Sequence, residues 1–271
     1  MLIADLNGER IDAARAKRGP DYRCPACCEI VVLKQGRKVI EHFAHKPPIS
    51  CSSANGETRA HLEAKALVHS ALIGRGLKAE IEFSVSTFRG DRRSDVMAWS
   101  PKNVSIAFEL QHTAIDLDEI EARASSYGHA GIAQIWIPFL KSSVWKDGEP
   151  CREGWFVERY SPRPFERWVH GFGGKHGMWM YDPAKKEFWL GRMAGHQTYV
   201  EEKSWYSEGG EENYGGGFHR WSKRYKELTL TGPHKADELL IKIETRKKFN
   251  GEGFSWPAGL IARLIPRQIT R

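Results

Sequence analysis

The chain has 271 residues, 41% of them hydrophobic and 28% charged, which is enough apolar content for a sizeable core and for more than one domain. No apolar run approaches the ~20 residues of a membrane span. The opening MLIADLNGER also lacks a charged-then-apolar leader, so a cytoplasmic protein with no membrane partner is expected. A formal net charge of +7 and a pI near 9.1 favour an anionic partner, nucleic acid first among them.

Residues 1–54 read as short strands with turns at LNGER and KQGRK, and they carry four of the five cysteines: Cys24, Cys27, Cys28 and Cys51. Without a leader, such clustering points to metal rather than to a disulfide framework. CPAC (24–27) is a C-x2-C knuckle, and HFAH (42–45) and Cys51 follow it. Zinc takes four nitrogen or sulfur ligands in a tetrahedron, commonly two from a knuckle and two from a later segment. His42 and His45 have opposite parity, so a straight strand aims them apart. The expected set is Cys24, Cys27, His45 and Cys51 around structural Zn2+, with His42 in reserve and Cys28 last. Residues 29–41 read as a hairpin between the two pairs, as in a zinc ribbon.

Residues 55–140 alternate helix and strand. GETRAHLEAKALVHSALIGRG (56–76) has a broad apolar helical face ended by Gly74 or Gly76. KAEIEFSVSTF (78–88) alternates Ala79, Ile81, Phe83 and Val85 toward one face as a strand. RSDVMAWS (93–100) and VSIAFELQ (104–111) are two further strands around PKN. DLDEIEARASSYGHAG (116–131) is a second helix with an acidic first turn, which suits the helix dipole. IAQIWIPF (132–139) is a covered strand. The order is α-β-β-β-α-β.

With Pro101, Lys102 and Asn103 as a three-residue loop, Ala98 faces Ile106 and Asp95 faces Glu109. Opposed carboxylates repel and are costly to bury. A divalent cation compensates, because Mg2+ takes one or two carboxylates and leaves positions for water and phosphate. Glu57, read as lying in the first turn of the preceding helix, supplies a third acid. Each acid alone also reads as a surface group or an ion pair, with Arg92, Arg93 and Arg123 at hand.

Glu57, then Asp95, then Glu109-Leu110-Gln111 on α-β-β-β-α-β, resembles the core of the PD-(D/E)XK nuclease superfamily. The segments YRCPAC, HFAHK, GETRAHLEAK, RSDV, FELQ and RASSYGHAGIAQIWI, in order over roughly residues 15–140, resemble the competence protein CoiA-like family. Ser94 stands where the superfamily has Pro, and Gln111 where it has Lys; relatives of this kind commonly carry Gln there. The resemblance implies metal-assisted hydrolysis of DNA, with Mg2+ or Mn2+ held by Asp95, Glu109 and the Leu110 carbonyl. Gln111 would orient the water, Glu57 would hold a second ion or position a water, and Lys65 would lie near a phosphate. His61, Arg123 and Tyr127 would contact DNA. Lys65 as a solvated helix lysine and an Arg123–Glu119 helix pair are the plain alternatives.

From residue 141 the chain is rich in glycine and aromatics, and eight of the ten tryptophans lie there. GMWMYDPAKKEFWLGR (177–192) reads as a hairpin around DPAK. ENYGGGFHRWSKRYKELTL (212–230) mixes aromatic rings with Arg and Lys, a pattern that stacks on unpaired bases while tracking phosphates. The core and rim of a small β-rich domain is the expectation carried forward. KADELLIKIETRKKF (235–249) fits a helix or a strand. HGFGGKHG (170–177) lacks the Lys-Ser/Thr ending of a phosphate loop, and the tail LIARLIPRQITR has no assignable role.

The expected architecture is therefore α/β (α+β). It comprises a zinc-ribbon-like module (1–54), a restriction-endonuclease-like core (55–140) and a β-rich accessory region (141–271). The expected activity is that of a Mg2+-dependent deoxyribonuclease, an endonuclease, in competence, recombination or foreign-DNA processing. A non-catalytic DNA-binding module of the same fold and an RNA-processing nuclease are the alternatives.

Overall fold

A computed structural model describes residues 1–36, 39–48, 51 and 57–267. Outside the described residues fall the boundary expected near 54, the Gly56 start of the first helix, part of the KQGRK turn and the last four residues of the tail.

The N-terminal part is an antiparallel sheet in the order β2-β1-β3-β4-β5, from β1 (Ile3–Leu6), β2 (Glu9–Asp12), β3 (Tyr22–Arg23), β4 (Ile30–Lys34) and β5 (His42–His45). Asn7 and Gly8, both at positive φ, form the two-residue turn that LNGER announces. Lys34 pairs with His42, so the return strand of the expected 29–41 hairpin is the HFAH segment itself.

The central part has the expected order: α1 (Arg59–Gly74), β6 (Lys78–Thr87), β7 (Gly90–Trp99), β8 (Ser105–Gln111), α2 (Leu117–His129) and β9 (Ala133–Pro138). The four strands make one sheet, β6-β7-β8-β9, antiparallel except for β8 beside β9. That parallel pair needs a crossover, and α2 supplies it. Ala98 pairs with Ile106, as the three-residue loop requires, and Asn103 takes the left-handed conformation (φ 58) that closes it. One face buries Val96, Ala98, Ile106 and Phe108 under Ala64, Val68 and Leu72 of α1. The other buries Met97 and Ala107 under Tyr127 of α2.

β6 departs from the expected alternation. Glu82 has φ 52, a left-handed conformation uncommon outside glycine and asparagine. It switches the strand between faces: Ala79 packs on the α1 side, whereas Phe83 and Val85 pack with Met97 and Tyr127.

The rest comprises α3 (Val144–Asp147), β10 (Glu149–Cys151), β11 (Gly154–Tyr160), α4 (Pro164–Gly173), β12 (Met178–Asp182), β13 (Glu187–Val200), β14 (Lys203–Tyr206), β15 (Glu212–Gly215), β16 (Phe218–His234), β17 (Leu239–Arg246), β18 (Phe249–Gly251), β19 (Phe254–Trp256) and β20 (Gly259–Pro266). Its main sheet runs β10-β11-β16-β13-β12, with pairs β14–β15, β17–β20 and β18–β19 beside it. The hairpin at DPAK forms, with Met180 opposite Trp189. KADELLIKIETR becomes a short 3-10 turn followed by β17, and part of the tail becomes β20.

Packing runs across position 140. Leu110 and Ile137 share a core with Trp179, Tyr181, Leu239 and Leu264. Ile120 and Trp136 share another with Trp168, Val169 and Met180. The shift in composition near residue 141 is thus not a break in the core. Among the described residues no helix is long and apolar enough to cross a membrane.

Candidate metal and nucleic-acid site

Three elements converge at one end of the central sheet. α1 begins at an N-cap, Thr58, whose hydroxyl accepts the His61 N–H. That cap leaves Glu57 one residue outside the helix rather than in its first turn. It also sets His61 and Lys65 one and two turns along the same side. On the sheet, Glu82 stands between the pairs Ile81–Val96 and Phe83–Ser94, hence opposite Asp95, and the β7–β8 register, paired as far as Val96–Phe108, points Asp95 toward Glu109 when continued by one residue. One row across three strands therefore carries three carboxylates. The row cannot keep ordinary ladder pairing: the Asp95 carboxylate accepts the Leu110 N–H at 2.8 Å.

The acids are separated by their partners. Lys65 is completely buried (0% exposed), and its ammonium lies 2.5 Å from both Glu57 and Glu82. Lys65 is therefore neither a solvated lysine nor a phosphate contact here; it neutralises two carboxylates. Glu82 also accepts the Leu2 N–H at 2.9 Å, which ties the N-terminal sheet to this row. Glu109 is held by Arg123 and by the Tyr127 hydroxyl, 2.6 Å away. Tyr127 is fully buried and serves Glu109 rather than DNA. Glu119 pairs with Arg92, not with Arg123. Gln111 donates to the Thr113 carbonyl at 2.7 Å.

Glu57, His61 and Asp95 come together instead: one ligating atom of each lies within 4.8 Å of the others. His61 stands between the two acids, Nδ1 3.8 Å from Glu57 and Nε2 3.1 Å from Asp95. Burial works to lower the His61 imidazole, but Asp95 beside it prevails and raises it. Burial also opposes ionisation of the acids. Lys65 overrides it at Glu57, holding that carboxyl at about 2. His61 overrides it at Asp95, which is lowered. At Glu109 burial wins over Arg123 and the carboxyl is raised.

These groups line a cleft of about 410 Å³ together with Arg92, Arg93, Leu110, Gln111, His112 and Arg123. Two buried atoms there are held by charge rather than by well-aligned hydrogen bonds: Glu57 Oε2 lies 3.1 Å from the Met1 ammonium and His61 Nε2 3.1 Å from Asp95. Two carboxylates and an imidazole converging within 4.8 Å are a donor set that a divalent cation fits. Sequence reading missed Glu82, Thr58 and His112, whose Nδ1 meets the Thr58 hydroxyl at 2.9 Å. Only Thr58 had a signal, as a helix cap.

The second cluster lies in the N-terminal sheet. Cys24, Cys27, His45 and Cys51 each place one ligating atom within 4.8 Å of the other three. Cys24 Sγ and Cys51 Sγ are 4.0 Å apart, and Cys27 Sγ is 3.3 Å from His45 Nε2. Zinc–sulfur bonds of ~2.3 Å in a tetrahedron give edges of ~3.8 Å, so the set matches that ion. A Glu29 backbone hydrogen bond lowers the Cys27 thiol, yet burial and the neighbouring thiols push it up to about 11. Such crowding is relieved by a cation. His42 turns away, with Nδ1 2.9 Å from the Ile40 carbonyl, and Cys28 is exposed.

Two family models match the chain in order. The N-terminal domain of competence protein CoiA covers residues 3–54, and its nuclease-like domain covers 57–152. A curated relative, Competence protein CoiA of Bacillus subtilis (strain 168), is 30% identical over 117 residues, which is 43% of this chain and 31% of that protein. The match thus spans under a third of the relative's length. A β-rich module with a Cys3His cluster, followed by a nuclease-like α/β core, defines the class of protein. The chain belongs to the competence protein CoiA-like family.

Proposed function

We propose that this chain is a divalent-metal-dependent deoxyribonuclease that hydrolyses phosphodiester bonds, acting in the cytoplasm in the handling of incoming DNA. The observation that carries the reading is the convergence of Glu57, His61 and Asp95 beside a cleft lined by Arg92, Arg93 and Arg123. Asp95 is the anchor of the ion, Mg2+ or Mn2+. Glu57 and His61 complete the set, and the Leu110 carbonyl is a further candidate. Imidazole is a softer ligand than carboxylate, so Mn2+ should serve at least as well as Mg2+. The ion supplies Lewis-acid polarisation of the phosphate and acidifies its water.

The chain's own residues do the rest. Lys65 neutralises Glu57 and Glu82, so the acids can sit together without unfolding the row. The Leu110 N–H fixes the Asp95 carboxylate. Arg123 holds Glu109 while its guanidinium lines the cleft, where phosphate would meet it. Gln111 lies at the same cleft and orients water there. Cys24, Cys27, His45 and Cys51 hold structural Zn2+, a closed set that contributes to folding.

The experiment is a cleavage assay on supercoiled, linear, single-stranded and branched DNA with and without Mg2+ or Mn2+. Ion-dependent cleavage that disappears in Asp95→Asn is expected. Retained DNA binding without cleavage under any ion would place the chain with non-catalytic binding modules.

A further inference from the structure

The aromatic stretch of the last third divides in a way its sequence does not announce. Leu228 and Leu230 are buried in the core, as a β-domain strand requires. The first part of the same strand leaves that core. β13 and β16 continue together as a two-stranded arm, with Gln197 opposite Trp221, Tyr199 opposite His219 and Val200 opposite Phe218. Three rings on it stand in solvent: Trp221 is 66% exposed, Phe218 54% and Tyr199 52%. Tyr199 lies opposite His219, two residues from Trp221, so Tyr199 and Trp221 share one face while Phe218 takes the other; exposed rings sharing a face mark an interaction surface.

Trp221 is braced rather than loose. A Cβ at Gly195 would meet the Trp221 ring at 2.7 Å, so a glycine there lets the indole lie against the opposite strand. Tyr199 is set by the His219 ring, 5.1 Å away. Charge follows the rings. Between Phe218 and Lys226 the strand carries Arg220, Lys223, Arg224 and Lys226 and no acid, whereas Glu201, Glu202, Glu208, Glu211 and Glu212 gather at the far tip. The arm's root is fixed to the cleft through one turn of α4. Arg163 donates to the carbonyls of His112, which lines the cleft, and Phe139. Arg167, one turn on, donates to the carbonyls of Lys223 and Arg224 at 2.8 and 3.1 Å.

We propose that the root half of this arm, around Tyr199 and Trp221 on one face, binds single-stranded DNA and leads it to the cleft. Exposed rings stack on base faces that a duplex keeps covered, and cations along the strand meet the phosphates. The acidic tip repels the backbone, so the bound tract ends before it. The proposal rests on the nuclease reading only for what happens at the cleft; binding stands by itself.

The test is fluorescence anisotropy of the full chain, zinc retained and no other divalent ion added, with labelled oligo-dT and a duplex of equal length. Tighter binding of oligo-dT is expected. Tyr199→Ala with Trp221→Ala should weaken it at least roughly tenfold, Trp221→Phe should largely keep it, and the salt slope should be about −2 to −3. These positions are exposed, and circular dichroism checks that the variants fold. Unchanged affinity in the folded double variant would overturn the proposal. So would equal affinity for duplex, or a dimer in sedimentation that Trp221→Ala disperses, which would make the arm a contact between copies. Because binding is read without cleavage, a chain that binds but does not cut would count against the nuclease reading alone.

Discussion

The two ligand clusters use overlapping residue types in opposite ways. In the N-terminal sheet three thiols and an imidazole face inward, with Cys24 and Cys51 buried, and every group belongs to one small module. In the cleft two carboxylates and an imidazole come from a helix end and a strand, and they line an opening with three arginines. Closed sets hold a fold together; open sets leave room for a reactant. The surroundings differ accordingly. The thiols crowd each other, whereas the carboxylates are already balanced by Lys65 and Arg123. Removing an ion should therefore unfold the first region and merely silence the second.

The sharpest way to break that contrast is Cys24→Ser. It should lose stoichiometric zinc and melt the N-terminal module at much lower temperature, since zinc binding in such modules is worth about 10–16 kcal/mol in isolated peptides. Full zinc content with an unchanged melting curve would erase the distinction.

Next comes Lys65→Met, which leaves the buried Glu82 without its cation and Glu57 with the Met1 ammonium, 3.1 Å away. A loss of about 3–5 kcal/mol in urea unfolding is expected, because a buried charge stripped of its partner is costly. A midpoint equal to the parent's would show that Glu57 and Glu82 do not depend on it.

Asp95→Asn keeps an acceptor for the Leu110 N–H but removes the charge. Cleavage should fall roughly 10²–10³-fold while the melting temperature stays near the parent's. Large destabilisation with proportionate activity would mean that the acid is structural.

The smallest effect belongs to His42→Ala. Zinc content should be unchanged and stability reduced by about 1 kcal/mol or less, the worth of one hydrogen bond. Loss of zinc would put His42 in the ligand set.

Much of this contrast is legible in the chain itself, and the rest fails for identifiable reasons. The meeting of Cys24, Cys27, His45 and Cys51 follows from knuckle spacing and strand parity, both local rules. The pairing of Ala98 with Ile106 follows from counting Pro101–Asn103 as a loop. Glu82 could not be read, because a strand pattern assumes that alternation continues, and one left-handed residue reverses it. Lys65 and Tyr127 were misplaced for a related reason: helical spacing says which residues share a side but not how deeply that side is buried. The aromatic stretch joins a β-rich region as expected, but its division into core and exposed arm could not be read, because composition cannot tell a ring packed beneath a sheet from one displayed on an arm.

Anomalous diffraction tests the proposed ion site in the cleft most directly. Crystals grown with zinc and soaked in Mn2+ should show an anomalous peak touching Asp95 together with Glu57 and His61. A cleft empty at saturating Mn2+, or a peak seated between Asp95 and Glu109 away from the other two, would contradict the account.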